Sequence, residues 1–428
     1  MNNSRVISQT RPRSAFRSAL WLALSLLSAG GMTFYVYNIW GANQPAGFSD
    51  LYAPWWAAHE LLLHGRNPYS PEVAHEIQTV IYGAPVTPSA DDPAGVAGGF
   101  AYPPYAALLL APTVYLPFAV AQKVFLLAAT LLTGVSLAFW VRLSGWQMLP
   151  LDWIAAGLFV FGSFPVMQAL WLQNLSPVAA GLIALAIYFV SKDRLVLGGI
   201  FLAWSTFKPQ FTAALIVWLV LWTLADWRVR QALAWSFLSA MVLLGIISEW
   251  LAPGWVRSFL AVVQAYRHYT YGHSLFDVWF RGGGGPMAGA ALLLAALFLC
   301  WRERSQSADS RGFFLATSLA MGANLVVSPS LAPHAQMLLF PGFLALLSAS
   351  RSAKRDRLSG MAAWMLLAWP WVASFGLLLA AVWLPLEAVR RFWEVPLYTS
   401  PLLPLGITLA VGALLGSNGG RHTEQVPL

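Results

Sequence analysis

The chain is 428 residues long, 58% hydrophobic and only 10% charged, with a mean hydropathy of +0.62. Soluble domains carry about 25% charged residues, so the composition excludes an ordinary soluble protein and points to a bilayer. The formal net charge of +8 does not describe a nucleic-acid-binding face, because the lysines and arginines lie in short clusters between apolar runs, and no nucleic-acid partner is expected.

In chain order, Arg5, Arg11, Arg13 and Arg17 precede an apolar run at 18–40. That run is longer than the roughly 7–15 residues of a signal-peptide core, which predicts an uncleaved first span. Further spans are expected near 118–141, 153–170, 175–191, 195–207, 210–225 and 231–250, then near 286–301, 312–327, 335–350, 358–383 and 400–416. The stretch 104–117 is too short to cross and carries Pro112 and Pro117, so it is read as a re-entrant or interfacial piece. Cys300, the only cysteine, ends an apolar run and is read as a packing thiol with no intramolecular disulfide.

These segments predict an all-α polytopic membrane protein of about 12 transmembrane helices, a single domain over 1–428. With the N-terminus inside, inner segments hold 17 of the 25 lysines and arginines, outer segments hold 7, and Lys123 lies within a span. The positive-inside rule therefore places both termini in the cytoplasm, and the plasma membrane is the expected location. The outer loops 41–103, 251–285 and 384–399 are long, and six of the seven histidines (59, 64, 75, 268, 273 and 334) fall outside. Loops beyond about 12–15 residues are usually functional or disordered. Ser70-Pro71-Glu72 reads as a helix start, with a cap, a proline at the first helical position and an acid in the first turn. Residues 51–63 form an aromatic amphipathic segment suited to the membrane surface. "DDPAGVAGG", 91–99, reads as a flexible, turn-rich linker.

The chemistry-bearing stretches all fall on the outer side. Asp50 is either the cap of the helix that follows it or a carboxylate held as a general base near a substrate hydroxyl. Tyr102, in the stiff "YPPY" that leads into 104–117, is either an interfacial anchor or the lining of a substrate groove. Gln173 and Asn174, in "WLQNLSP", form an uncharged polar pair at a hairpin tip, fit for a tight turn or for sugar hydroxyls. Lys208, in "STFKPQF", stands where helix continuity fails at Pro209; it either snorkels to the interface or binds phosphate. Arg267 and His268 sit among tyrosines in "AYRHYTYGHSLFDVWFRGGGG", a mix of cations and aromatic faces suited to sugars and phosphates. His268 and His273 lack a regular ligand spacing with a nearby acid, so no metal is assigned. His334 lies at a proline-rich outer helix junction, with a structural role or a place in the site. Arg66 completes the outer cations considered for substrate binding.

At this point the chain resembles a known family. "FSDLYAPWWAAHELLLHGRNPYS", "FAYPPYAALLLAPTVYLPF", "LQNLSPVAAGL", "GGIFLAWSTFKPQF" and "SPSLAPHAQMLLFP" occur in the order and spacing of the polyprenyl-phosphate-sugar-dependent glycosyltransferases of family 87, over roughly residues 45–345. The resemblance implies the membrane-embedded GT-C fold, here a bundle with extracytoplasmic juxtamembrane helices, and includes α-mannosyltransferases. It also implies that Asp50 is the catalytic base and that Lys208 and His334 lie near the donor phosphate. "SPSLAPH" departs from the tighter "SPxxWxH"-like arrangement common in the family, since it has no tryptophan.

The expectation is thus an inverting transfer, with no nucleotide site, from a polyprenyl-phosphate-linked sugar to an extracytoplasmic glycolipid or polysaccharide. Neither a cofactor nor a metal is called for; the "GGGG" at 282–285 is a turn and no P-loop is present. The rival from another class is a lipid or small-molecule transporter or flippase. Such proteins place buried charges at midplane, often in inverted repeats, whereas these spans carry few ionisable groups and no repeat.

Overall fold

The computed structural model describes residues 45–349 except 91, 270–272, 281–282 and 329–331, together with 382–390, 402–418 and single positions at 23, 26, 376, 379 and 380. The expected spans at 18–40 and 358–383 lie outside the described residues, apart from those single positions and 382–383. Among the described residues the chain is helical, with no strand.

The first outer segment folds into two helices, α1 (Tyr52–His64) and α2 (Pro71–Tyr82). Ser70 caps α2, accepting from the Val73 amide, with Pro71 opening the helix as its sequence predicts. Asp50 does not cap α1: the position before that helix is Leu51 and no side chain caps it. The local polar contact comes instead from Ser49, whose Oγ accepts from the Leu51 amide at 3.2 Å. The Asp50 carboxylate is drawn away to another element, described below.

Residues 92–99 also differ from expectation. Their composition is turn-rich, yet the segment is pinned rather than loose. The buried Asp92 carboxylate accepts from the Val96 and Ala97 amides at 3.0 and 2.8 Å, and Gln78 on α2 donates to the Gly95 and Ala97 carbonyls. Val96 adds an apolar anchor, since it is buried within the hydrophobic core.

The short apolar stretch after Tyr105 forms α3 (Ala106–Leu110) and a 3-10 turn over Ala111–Thr113. The bundle follows with α4 (Phe118–Leu143), α5 (Pro150–Phe161), α6 (Phe164–Trp171), α7 (Ser176–Ser191), α8 (Leu195–Ser205), α9 (Pro209–Ala225) and α10 (Trp227–Leu251). Next come α11 (Trp255–Tyr269), α12 (Leu275–Trp279), α13 (Gly284–Arg302), α14 (Arg311–Val327) and a 3-10 stretch over Pro333–Leu339. Then follow α15 (Phe340–Ala349), α16 (Leu386–Arg390) and α17 (Leu402–Asn418).

Three of these helices, α4, α10 and α13, are long and apolar enough to cross a membrane, or four spans if the bent pair α5–α6 counts as one. The others are shorter because the chain breaks inside the apolar runs. The expected span 153–170 breaks at Gly162–Ser163, where Pro165 opens α6, and the run from 195 to 225 breaks at Thr206–Lys208 before Pro209. Non-helical backbone within such a protein is tolerated where protein covers it, and Phe207 and Lys208 are both buried.

Close packing explains the "GG" before the second break. A Cβ added to Gly199 on α8 would lie 2.7 Å from the Leu233 carbonyl oxygen and 2.1 Å from Ser236 Oγ, both on α10. Only glycine lets the two backbones approach so closely, as is usual between membrane helices. A second layer, α9 against α14, with α13 and α17 on α14, completes the core. Helix α9 separates two polar ends by roughly 25 Å, at 1.5 Å rise per residue. At its end near Trp222, the Arg230 guanidinium donates to the carbonyls of Trp222, Arg304 and Gln306. At its start, Lys208 meets a different set of groups.

Candidate active site

The site is built on the turn between α6 and α7 and on the break between α8 and α9. Between α6 and α7 the backbone turns through Gln173 with φ of 56°, a left-handed conformation that a residue other than glycine adopts at a cost. The Gln173 carboxamide oxygen accepts from Ser49 Oγ at 2.5 Å, and the Asp50 amide donates to the Leu172 carbonyl at 2.7 Å. The outer segment is thereby fastened to the hairpin tip from two adjacent residues.

Asn174 supplies the third fastening. Its Oδ1 accepts from the Ser176 amide at 2.9 Å, from Ser176 Oγ at 2.7 Å and from Lys208 Nζ at 2.6 Å. With Oδ1 claimed by donors, the amide nitrogen must face the other way, and Nδ2 donates to Asp50 Oδ2 at 2.7 Å. A carboxylate, an amide and an ammonium therefore stand in line.

Lys208 is buried, 3% exposed, and its ammonium also donates to Ser176 Oγ at 3.0 Å and lies 5.0 Å from the centre of the Phe211 ring. Burial lowers its pKa to about 7, partly offset by the negative charge of Asp50. Asp50 remains exposed at the surface but is crowded by surrounding protein. That crowding raises its carboxyl above the ordinary value, while the Asn174 hydrogen bond and the Lys208 charge pull it back down. The carboxylate is thus more basic than a free aspartate and still supported in its ionised form.

His334 approaches from the 3-10 stretch, which packs on α6 and α7. Its backbone amide donates to Gln168 Oε1 at 3.0 Å, and its Nδ1 is buried without a hydrogen-bond partner among the described residues. Burial, reinforced by the positive Lys208, lowers its pKa to about 3, so the imidazole is neutral at physiological pH. Tyr102 is half-buried, with its ring 6.3 Å from that of Phe207 and its carbonyl accepting from the Tyr69 hydroxyl. Arg66 is ion-paired with Glu60 and Glu76, at 2.8 and 2.7 Å. Arg267 and His268 fall on the last turn of α11, and their side chains lie outside the described residues.

Asp50, Asn174 and Lys208 are therefore joined by one hydrogen-bonded set, and Gln173 is tied beside it through Ser49. Sequence reasoning overlooked Ser49, Gln168 and Ser176. Ser176 had a signal, since an asparagine followed two residues later by serine forms a local side-chain-to-backbone turn. Ser49 and Gln168 bond across long sequence separations and had none.

A many-helixed, strongly apolar chain with an acid, an amide and a lysine gathered at its helix breaks belongs to the class of polytopic membrane proteins that carry a polar site at one end of the bundle. The model of glycosyltransferase family 87 matches residues 100–329, and the chain belongs to that family. It is a membrane glycosyltransferase. No curated protein and no solved structure matches the chain. Tyr102, Gln173, Asn174, Lys208, Arg267 and His268 fall within the matched stretch, whereas Asp50, Arg66 and His334 lie outside it.

Proposed function

We propose that this glycosyltransferase moves a sugar, mannose first among candidates, from a polyprenyl-phosphate donor to a hydroxyl of an extracytoplasmic glycolipid or polysaccharide. Asp50 is the general base and the anomeric centre inverts. The observation that carries the reading is that Asn174 holds Asp50 by Oδ2, while Oδ1 of this exposed residue has no hydrogen-bond partner among the described residues and is open to a proton.

In the transfer, the acceptor oxygen forms its bond to the anomeric carbon as the bond from that carbon to the phosphate oxygen breaks. The transition state has oxocarbenium character. Asp50 takes the acceptor proton, a contribution typically worth 10²–10⁴ in rate. The polyprenyl phosphate leaves with the bonding pair and needs donors around its charge rather than a general acid. Lys208 has three N–H donors, of which Asn174 and Ser176 use two. The third, with Nδ1 of His334, is assigned to the donor phosphate. Arg267 adds a cation there. Gln173, Asn174, Tyr102, His268 and Arg66 are assigned to the walls on which the sugar and acceptor rest.

The scaffold that serves this chemistry is one domain over 1–428 with about 12 crossings, both termini in the cytoplasm and the site on the outer face of the plasma membrane. Support comes from the pairing of ends: segments assigned outside by charge meet around Asn174, and those assigned inside meet around Arg230, at opposite ends of α9.

The test is incubation of the purified protein with a panel of labelled polyprenyl-phosphate sugars and membrane lipids, followed by mass analysis. A new glycoside of inverted configuration is expected. Movement of label across vesicles without any glycoside would favour the transporter reading and overturn this one.

A further inference from the structure

The last turns of α1 carry a second constellation, distinct from the one around Asp50. Glu60 is buried, and its Oε2 accepts from Arg66 Nη1 at 2.8 Å. Arg66 in turn donates to Glu76 on α2 at 2.7 Å, and Trp56 Nε1 donates to the same Glu76 carboxylate at 2.9 Å. This network fixes the Glu60 carboxylate and leaves Oε1 facing two histidines. His59 Nδ1 lies 3.2 Å from Oε1 and His64 Nδ1 lies 3.3 Å from it. The His59 ring is itself held, stacked on Trp56 at 5.1 Å and 6°.

We propose that His59, Glu60 and His64 form a binding site for a divalent transition metal of the zinc class. Three donor atoms, two imidazole nitrogens and one carboxylate oxygen, lie within 4.8 Å of one another. In a tetrahedral site with bonds of about 2.0–2.2 Å, neighbouring donors are about 3.3–3.6 Å apart. The two contacts to Glu60 Oε1 already sit at the short end of that range, so an ion requires only that the two rings adjust. Imidazole nitrogens select zinc, cobalt or nickel over magnesium and calcium. Arg66 is the outer partner that orients the carboxylate, a support that metal ligands usually have. Three protein ligands leave a fourth position for water.

Glu60 lies eight positions into α1, about 12 Å along the helix from its start near Asp50, so the ion does not touch the reacting carboxylate, although Arg66 serves both this site and the proposed substrate wall. Its effect is to lock the end of α1 at the corner where Gly65 reverses the chain towards α2, with φ of 64°. None of the three ligands lies in the stretch matched by the family model. The inference does not depend on the proposed transfer reaction.

The experiment is calorimetric titration of the tag-free, chelator-stripped full chain in detergent with Zn²⁺. One equivalent is expected to bind and to raise the thermal midpoint, as any ligand of the folded state does. His59→Ala and His64→Ala should each weaken binding by at least about tenfold and shrink the Zn²⁺-induced rise in midpoint, read against each variant's own metal-free value. His273→Ala, at an exposed histidine elsewhere, should bind as the wild type does. Failure of the wild type to bind Zn²⁺, or equal binding by a His59→Ala/His64→Ala double variant, overturns the proposal.

Discussion

Asn174 donates its Nδ2 hydrogen to Asp50 Oδ2 at 2.7 Å, across 124 positions of sequence. The amide cannot turn around, because Lys208 and Ser176 hold its oxygen. Asp50 therefore always meets a donor, which favours its ionised form. Asn174→Leu strands the buried Lys208 ammonium and the Ser176 amide, so a lower thermal midpoint is expected together with turnover reduced by about 10-fold or more. With the lowering hydrogen bond gone, the acid limb of kcat/KM should move to higher pH. A variant whose acid limb stayed in place would show that Asn174 does not act through Asp50.

Lys208 titrates near 7 because burial lowers it from 10.5. Above that pH it loses its charge and one means of holding a phosphate, so kcat/KM for the donor should fall as pH rises past about 7. Lys208→Met should raise KM for the donor and abolish that alkaline limb. The profile of kcat/KM is the right readout, since it reports the free enzyme.

The same lysine has a stability signature. Between about 7 and 10.5 the unfolded chain holds a proton at Lys208 that the folded chain does not. Stability rises with pH wherever the unfolded state binds more protons. Thermal midpoints in detergent should therefore climb with pH across that window, and Lys208→Met should flatten the climb relative to the wild type.

Asp92 closes its loop through two backbone amides. Asp92→Ala leaves those buried donors unpaired, at a cost of about 1–3 kcal/mol each. Limited proteolysis should then cut within 92–99 faster than in the wild type, while Asp92→Asn, which keeps one acceptor, falls between.

Gly199→Val fills space that α10 occupies. Overpacking of this kind costs about 1–3 kcal/mol, and a lowered thermal midpoint with reduced expression is expected. Gly157→Val, at a glycine with open space around it, serves as the control.

Helices were legible wherever hydrophobic length sets the element. The expected run 118–141 became α4 over Phe118–Leu143, and 231–250 became α10 over Trp227–Leu251. Hydropathy does not register an interruption inside an apolar run, so the expected span over 153–170 divides at Gly162–Ser163. Asp50, Gln173, Asn174 and Lys208 stood out in sequence as polar residues in an apolar chain, and the fold joins all four. What sequence could not supply was direction. Asp50 falls one residue short of the cap position, which Leu51 occupies, and its carboxylate bonds Asn174 instead. The linker 92–99 was misjudged for a related reason: turn composition says nothing about a buried Gln78 that binds its carbonyls.

The central claim, that Asp50 is the base, is tested most directly by the transfer rate of Asp50→Asn with a labelled polyprenyl-phosphate mannose and a lipid acceptor. Asparagine keeps the shape but cannot take the proton, so kcat is expected to drop by about 10²–10⁴ with donor binding retained. Transfer by the folded variant at near the wild-type rate would contradict the account.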